Sequence, residues 1–249
     1  TVTDNDGAIE KVEFFRGGTT KIGEATGYPY TISWTNVASG NYSITAKAID
    51  ITGNTTTSAA ISITVAPGAP NVFSKKISSG EDDVEEFADG TITRTSYALE
   101  MPYYSSVAGN QIIGLRFNNV TIPAGAIITG AYIKFFANNQ NYKTTNLTIT
   151  GETSANSPAF TFAPQNVSGR SRTSSSVNWT PSAWTTAGEN GTLQQTPPLT
   201  SIIQQIINIS GWASGNSLSL LISGSGKRTA FSFEGDAAKA AELVIEYQQ

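Results

Sequence analysis

Residues 11–65 alternate apolar and polar positions through several short runs, and a turn closes each run. Apolar residues fall two positions apart, as they do when one face of a strand is buried. The runs centre on Val12, Ile32, Ile44 and Ile63, with Trp34 on the same face as Ile32. They predict four strands of an antiparallel β-sandwich. A complete sandwich needs about seven strands, so we expect the first strands to be missing and further domains to lie upstream.

The segment APGAPN at residues 66–71 interrupts this alternation. Proline lacks a backbone donor and is excluded from central strands, and such segments commonly join domains. We therefore predict a first domain over residues 1–66, a linker over 67–71 and a second domain over 72–249. At 249 residues, the chain is long enough for each domain to bury its own core.

The second domain again shows the alternation of strands. The stretches with this pattern are residues 112–117, 127–136, 147–149, 218–222, 229–233 and 243–247. Many short strands of this kind favour a jelly-roll-like sandwich. The predicted fold class is therefore all-β: a truncated immunoglobulin-like β-sandwich followed by a jelly-roll-like β-sandwich with one short helix.

Two segments of the second domain depart from the strand pattern. Apolar residues at 199, 202, 203, 206 and 207 recur at helical spacing. Ser201 and Gln204 predict a capping box for this helix, and Gly211 predicts its end. Residues 165–195 are rich in Ser, Thr, Asn and Gly, so we expect a long, partly irregular loop. Because loops of this length usually serve a function, its tryptophans Trp179 and Trp184 are candidates for a binding site.

Composition narrows the possible functions. Histidine and cysteine are absent, which excludes Ser-His-Asp catalysis and the usual zinc ligands. The net charge is -4, and the 15 basic residues are scattered, so nucleic acid is not an expected partner. No apolar run is long enough for a membrane span, so we expect no membrane insertion. With 14% charged residues and many Thr, Ser, Asn and Gly, the chain is typical of extracellular β-rich modules.

The first domain carries several short motifs: a D-x-D-G turn, VEFF, G-x-T-K-x-G, PY, WTNV and G-x-Y-x-x-T-A-x-A-x-D. They occupy residues 4–7, 12–15, 18–23, 29–30, 34–37 and 40–50, before a closing strand at 58–65. With these motifs the domain resembles the C-terminal part of the bacterial Ig-like repeats found in tandem in secreted enzymes and adhesins. The resemblance implies a bacterial, extracellular protein.

Other motifs mark the second domain: an acidic opening at residues 78–86, WTPSAW at 179–184, a helix ending in Gly211 and Trp212, and GSGKR at 224–228. With these motifs it resembles a module appended to secreted bacterial carbohydrate-active and surface proteins. The resemblance implies attachment to glycan-processing proteins and transfers no ligand.

Six carboxylates lie within nine residues, from Glu81 to Asp89, and they repel one another unless a cation lies among them. Calcium takes roughly six to eight oxygen ligands in flexible loops. Asp82, Asp83, Glu85 and Glu86 are therefore candidate ligands of a structural calcium ion. The alternative is a solvated acidic loop. A glycosidase pair is disfavoured, because catalytic carboxylates lie on separate elements, although Glu100, Glu152 or Glu234 would supply a distant partner.

Sugar rings stack on exposed aromatic side chains, while polar and charged groups bind their hydroxyls. The candidate sugar-binding residues are Trp179, Trp184, Tyr103, Tyr104 and Arg228. The alternative is that the aromatic residues plug the sandwich core, as most large aromatic residues do. Arg228, with Lys227, Glu234 and Asp236, is alternatively part of a surface ion pair.

We expect a non-catalytic carbohydrate-binding module with an Ig-like spacer, which targets a secreted enzyme or surface protein to polysaccharide. A structural or adhesive stalk segment is the first alternative, and it predicts that Trp179 and Trp184 are buried. A polysaccharide-degrading enzyme is the second, and it predicts a cleft in which a carboxylate of raised pKa faces aromatic residues.

Overall fold

The computed structural model describes residues 8–105 and 109–249, except for the side chain of Tyr104. The chain is an all-β, sandwich-like protein with multiple antiparallel sheets and, in the described residues, one α-helix. It divides into two compact units, Thr1–Ala69 and Pro70–Gln249. The division falls inside the proline-containing segment 66–71. We refer to the two parts as unit 1 and unit 2.

In unit 1, the described residues form one antiparallel sheet. Its strands are β1 (Ile9–Arg16), β2 (Thr20–Ala25), β3 (Gly40–Asp50), β4 (Thr55–Thr57) and β5 (Ile61–Val65). They follow the order β2-β1-β3-β4, and β5 pairs with the first half of β3. The predicted strand around Ile32 is absent, because residues 26–39 are irregular. There Trp34 is only partly buried, and its ring meets that of Tyr42 edge to face at 5.0 Å.

Strands also dominate unit 2. Its described strands are β6 (Asn71–Lys76), β7 (Asp83–Glu86), β8 (Ile92–Thr93), β9 (Ala98–Ser105), β10 (Gly109–Asn110), β11 (Ile112–Phe117), β12 (Ile127–Lys134), β13 (Asn146–Glu152), β14 (Arg172–Trp179), β15 (Leu218–Ser225), β16 (Lys227–Phe231) and β17 (Glu242–Gln248). Two 3₁₀ turns lie at Thr192–Gln194 and Ala237–Lys239.

Six of these strands form one sheet in the order β14-β13-β15-β11-β7-β8. The others form two three-stranded sheets, β10-β9-β16 and β12-β17-β6. Backbone hydrogen bonds from Asn138 to Thr229 and from Phe231 to Phe136 join β16 to the segment that follows β12. The two small sheets are therefore linked edge to edge, as expected for a second layer of a sandwich.

The main core of unit 2 is built from alternate residues of these strands. Ile113 and Leu115 of β11, Leu99 and Met101 of β9, and Ile133 of β12 are all fully buried in one cluster. The other face of the six-stranded sheet is covered near β7 by residues 153–171. There Phe160 and Val167 pack on Val84 and Leu221. The segment after β13 is thus held against the sheet.

The predicted helix is α1 (Thr200–Ile207), and its buried residues are Ile202, Ile203, Ile206 and Ile207. The predicted capping box is wrong, because the N-cap is Leu199 and no side chain caps the helix. The Gln204 side chain instead accepts a hydrogen bond from Ile128 N and donates one to Ala126 O. It therefore ties the helix to the start of β12.

The long loop predicted over residues 165–195 is partly wrong. Residues Arg172–Trp179 form β14, which pairs with β13 at the edge of the six-stranded sheet. Burial alternates along this strand, because one face of the edge strand is covered and the other faces solvent, but six residues of its sequence RTSSSVNW are polar. The abundance of serine masks this alternation in the sequence.

Candidate functional site

The four acidic residues predicted to bind calcium are separated by the pleat of β7. Asp83 and Glu85 share one face of the strand, and Glu86 lies on the other face. All four are buried, and each accepts hydrogen bonds from the protein. Asp82 pairs with Arg116 at 2.6 Å, and one oxygen of Glu86 accepts from Val167 N and Ser168 N. These carboxylates therefore bind protein donors on different sides of the strand.

Glu85 reaches the edge of β9. Its Oε1 accepts hydrogen bonds from Glu100 N and from Gln111 Nε2, and Gln111 also donates to Glu100 O. Burial, together with the nearby Glu100 carboxylate, raises the pKa of Glu85 to about 9. The side chains of Glu85 and Gln111 thus bind the backbone N–H and C=O groups of Glu100, which would otherwise be free to pair with a neighbouring strand.

Asp83 lies two residues before Glu85, and its Oδ2 accepts a hydrogen bond from Phe233 N at 2.7 Å. Burial raises the pKa of Asp83 to about 7, and the charges of Glu234 and Asp82 add to this rise. The contact fixes the turn that follows β16.

The predicted calcium site is not formed by this arrangement. Across residues 8–105 and 109–249, no group of three or more acidic side chains is placed so that it could hold a metal ion. The sequence pattern was misleading because the four predicted ligands, Asp82, Asp83, Glu85 and Glu86, are buried and three of them belong to strand β7, whereas the prediction assumed a flexible loop. The alternative of a solvated acidic loop is wrong for the same reason.

The tryptophans predicted to bind sugar belong to the core. Trp184 is 0% exposed and Trp179 is 5% exposed. Trp179 stacks on Phe135 at 5.8 Å, and the Trp184 indole donates to Leu193 O at 3.0 Å. Because neither ring presents a face to solvent, the prediction that they form a sugar platform is corrected here.

Arg228 is 2% exposed, and its side chain binds the loops around it through hydrogen bonds. Its guanidinium donates to the carbonyl oxygens of Lys143, Pro181, Ser182 and Lys227 and to Thr145 Oγ1. Because the guanidinium is buried among these loop groups, it presents no surface to a sugar, so the prediction for Arg228 is also corrected.

The remaining predicted sugar-binding residues are the tyrosines of β9. Tyr103 is partly buried, and Lys143 Nζ lies 5.8 Å from its ring centroid. The side chain of Tyr104 lies outside the described part of the chain.

A shallow, open pocket lies next to the acidic strand. Its volume is about 260 Å³, and it is lined by Ser79, Gly80, Glu81, Arg94, Thr95, Phe162 and Glu234. The Phe162 ring is 59% exposed, and the Arg94 guanidinium carbon lies 4.0 Å from its centroid. An aromatic ring held in place by a guanidinium therefore forms one side of the pocket.

The charged groups of the pocket have unequal partners. Arg94 Nη1 donates to Phe160 O at 2.9 Å and lies 3.4 Å from Glu81 Oε1, whereas its Nε has no acceptor. Glu234 Oε2 has no donor within the described residues. Burial raises the pKa of Glu234, and the Arg94 charge opposes this rise. One unmet donor and one unmet acceptor therefore belong to residues of the same pocket.

Three segments are fixed together to build this pocket. Asp83 holds Phe233, the residue before Glu234, and Ser232 Oγ donates to Ser96 O next to Thr95. Gly80 allows the close approach of Glu234, because a Cβ at this position would lie 1.7 Å from Glu234 Oε1. The pocket is thus supported by buried hydrogen bonds rather than by the flexibility of its loops.

Sequence reasoning named Glu81 and Glu234 but missed Arg94 and Phe162. Phe162 stands two residues after Phe160 in the stretch PAFTFAP, and Arg94 stands alone beyond the acidic segment. A second phenylalanine close to Phe160 is the one available signal. It carries little information, because single exposed apolar residues are common.

The chain was compared with known proteins. Residues 1–46 match the family described as the bacterial Ig domain. Comparison with curated proteins gives no match. Unit 1 therefore contains a bacterial Ig-like segment, and the match extends over a shorter stretch than the motifs at residues 4–65.

Two solved structures are similar at low level. One comes from work on carbohydrate-binding modules of the β-sandwich superfamily; it is 12% identical, the alignment covers 99% of this chain and 88% of the other, and the TM-score is 0.22. The other is the Bacteroides ovatus mixed-linkage glucan utilization locus protein SGBP-B in complex with a mixed-linkage heptasaccharide, at 12% identity, 94% and 66% coverage and a TM-score of 0.14. With TM-scores this low, neither likeness supports an argument about this chain.

Within the described residues, no helix is both long and apolar enough to cross a membrane.

Proposed function

We propose that unit 2 is a non-catalytic carbohydrate-binding module that works outside a bacterial cell, with unit 1 as its Ig-like spacer. The observation that carries this proposal is the exposed ring of Phe162 in a pocket with Arg94, Glu81 and Glu234. Apolar C–H faces of a sugar ring stack on aromatic rings, and its hydroxyls both donate and accept hydrogen bonds. The pocket offers the Phe162 ring for the first interaction and the carboxylates of Glu81 and Glu234 for the second.

The role of such a module would be targeting. By holding the rest of a longer chain on a polysaccharide, it raises the effective concentration of whatever that chain carries. The pocket suits a single sugar unit of a polymer, because it is open and smaller than the ~300–1,000 Å³ of most small-molecule sites.

We propose binding without bond cleavage. A glycosidase places two carboxylates on opposite sides of the scissile bond, and one of them must be free to attack or to activate water. Glu81 lies 3.4 Å from Arg94, so its charge is already compensated. Glu234 does match the enzyme alternative in one respect, since burial raises its pKa beside an aromatic residue. The appearance of reducing ends in mixtures with polysaccharide would therefore contradict this part of the proposal.

The test is the substitution Phe162→Ala. We expect it to abolish binding to soluble mixed-linkage glucan, xylan or galactomannan, whichever the wild-type protein binds, as measured by affinity electrophoresis and calorimetry. Tyr142→Ala is the matched control, because Tyr142 is also an exposed aromatic residue of unit 2, at 65%, and does not line the pocket. Equal binding by wild-type protein and the Phe162→Ala variant would reject the pocket as the site.

A structural or adhesive stalk segment is the second candidate. The observation that favours it is the burial of Trp179 and Trp184, which removes the most prominent aromatic residues from any binding surface. It predicts no affinity for any polysaccharide of the panel, together with a normal thermal unfolding transition.

A further inference from the structure

The charges of the pocket indicate which sugars it accepts, an inference that rests on the proposed function. Two carboxylates, Glu81 and Glu234, and one guanidinium, that of Arg94, line it. Arg94 is engaged by Glu81, by Phe160 O and by the face of Phe162. Of these three charged groups, the Glu234 carboxylate is therefore the one without a close partner of opposite charge.

The position of Glu234 keeps it unpartnered. It forms no salt bridge within the described residues, and its Oε2 is buried without a donor. Asp83 accepts a hydrogen bond from Phe233 N, the residue before Glu234, so a second carboxyl group lies close to this turn. Gly80 packs directly against the Glu234 carboxylate, which leaves no room for a side chain at position 80. Because Glu234 lines the pocket, a group that enters it meets a carboxylate without an ion-pair partner among the described residues.

A ligand that donates a hydrogen bond to the Glu234 carboxylate gains binding free energy. A hydroxyl would satisfy the hydrogen bond, but an ammonium group would also compensate the charge, and hydrogen bonds between charged groups are the stronger kind. A carboxylate would face two like charges, while the one guanidinium is already engaged.

We propose that this pocket selects a hexosamine unit with a free amino group, whose ammonium pairs with Glu234 while the sugar ring packs on Phe162. Glycans built from uronic acids are excluded by the same charges. Glu234 is thereby the residue that determines specificity, and Phe162 provides binding that is common to all sugars.

The test uses oligomers of equal length that differ only at C2: β-1,4-linked glucose, glucosamine and N-acetylglucosamine, together with an oligogalacturonate. At about pH 6, below the pKa of an ordinary α-amine, we expect glucosamine oligomers to bind at least about tenfold more tightly than glucose oligomers. Added salt should weaken the preference. The substitution Glu234→Gln should remove it, and Glu81→Gln, at an exposed position, should reduce it.

Glu189→Gln is the matched control, because Glu189 lies outside the pocket. Equal affinity for glucose and glucosamine oligomers, lost in Phe162→Ala, would overturn the selectivity and leave the proposed function standing. A preference that persists in both Glu234→Gln and Glu81→Gln, or binding of the oligogalacturonate, would also overturn it. Absence of binding to every oligomer and to the polysaccharide panel would reject both proposals. Melting temperatures establish that each variant is folded.

Discussion

In unit 2, single charged side chains form the hydrogen bonds of several backbone groups that have no backbone partner. Arg228 binds four carbonyl oxygens of the loops around it, and Glu86 binds two backbone amides of the segment that covers β7. Such groups are stable in the interior only while each hydrogen bond is kept, because a buried polar atom without a partner is costly. Charge in this unit is therefore used to fix loops.

Arg228→Ala should lower the free energy of unfolding of unit 2 by more than about 3 kcal/mol, because several carbonyl oxygens lose their only charged donor at once. Urea unfolding followed by tryptophan fluorescence measures the change. Arg16→Ala in unit 1, at an exposed position, is the control and should change stability by less than about 0.5 kcal/mol. A similar small effect for Arg228→Ala would mean that water replaces the guanidinium.

At the scale of the element, strands β11 and β7 show why the sequence predicts some strands and not others. Strand β11 was predicted with its exact bounds, because the period of two is visible in IIGLRF. The sequence DVEE of β7 carries no such pattern, since its buried positions are acidic and are satisfied by partners distant in sequence. The same holds for the pocket, whose residues come from four separate segments.

The segment that covers β7 also carries the ring of the pocket, and two of its phenylalanines test this arrangement. Phe160 is 1% exposed and Phe162 is 59% exposed. Phe160→Ala should destabilise unit 2 by about 3–5 kcal/mol, because it leaves a cavity above Val84. Phe162→Ala should change stability by less than about 0.5 kcal/mol. Chemical unfolding of both variants makes the comparison, and equal losses would show that the covering segment is not anchored through Phe160.

At the scale of the whole molecule, the two units respond to pH in opposite directions. In unit 1, hydrogen bonds from Asn54 and Thr52 lower the pKa of Asp50 to about 2. In unit 2, burial raises the pKa values of Asp83 and Glu85 to about 7 and about 9. A carboxyl group with a lowered pKa stabilises the folded state at pH values above its ordinary pKa, and this stabilisation is lost in acid. A carboxyl group with a raised pKa stabilises the folded state at pH values below its ordinary pKa, and this stabilisation is lost as the pH rises.

We therefore expect unit 1 to lose stability as the pH falls from about 4 towards 2, and unit 2 to lose stability as the pH rises from about 4 towards 9. Calorimetry across this range separates the transitions. Trp34 reports on unit 1, since the other tryptophans belong to unit 2. Asp50→Asn should flatten the acid limb, and Glu85→Gln should flatten the alkaline limb. An alkaline limb that is unchanged in Glu85→Gln would contradict this assignment.

The contact of Glu85 and Gln111 with Glu100 has a consequence for how copies of this protein meet in concentrated solution. A strand whose amide and carbonyl groups are free can recruit a strand from another molecule, which leads to aggregation. Here two side chains occupy these groups on β9, and one of them is a carboxyl. The backbone groups of Glu100 are thereby closed to pairing with a strand of another molecule.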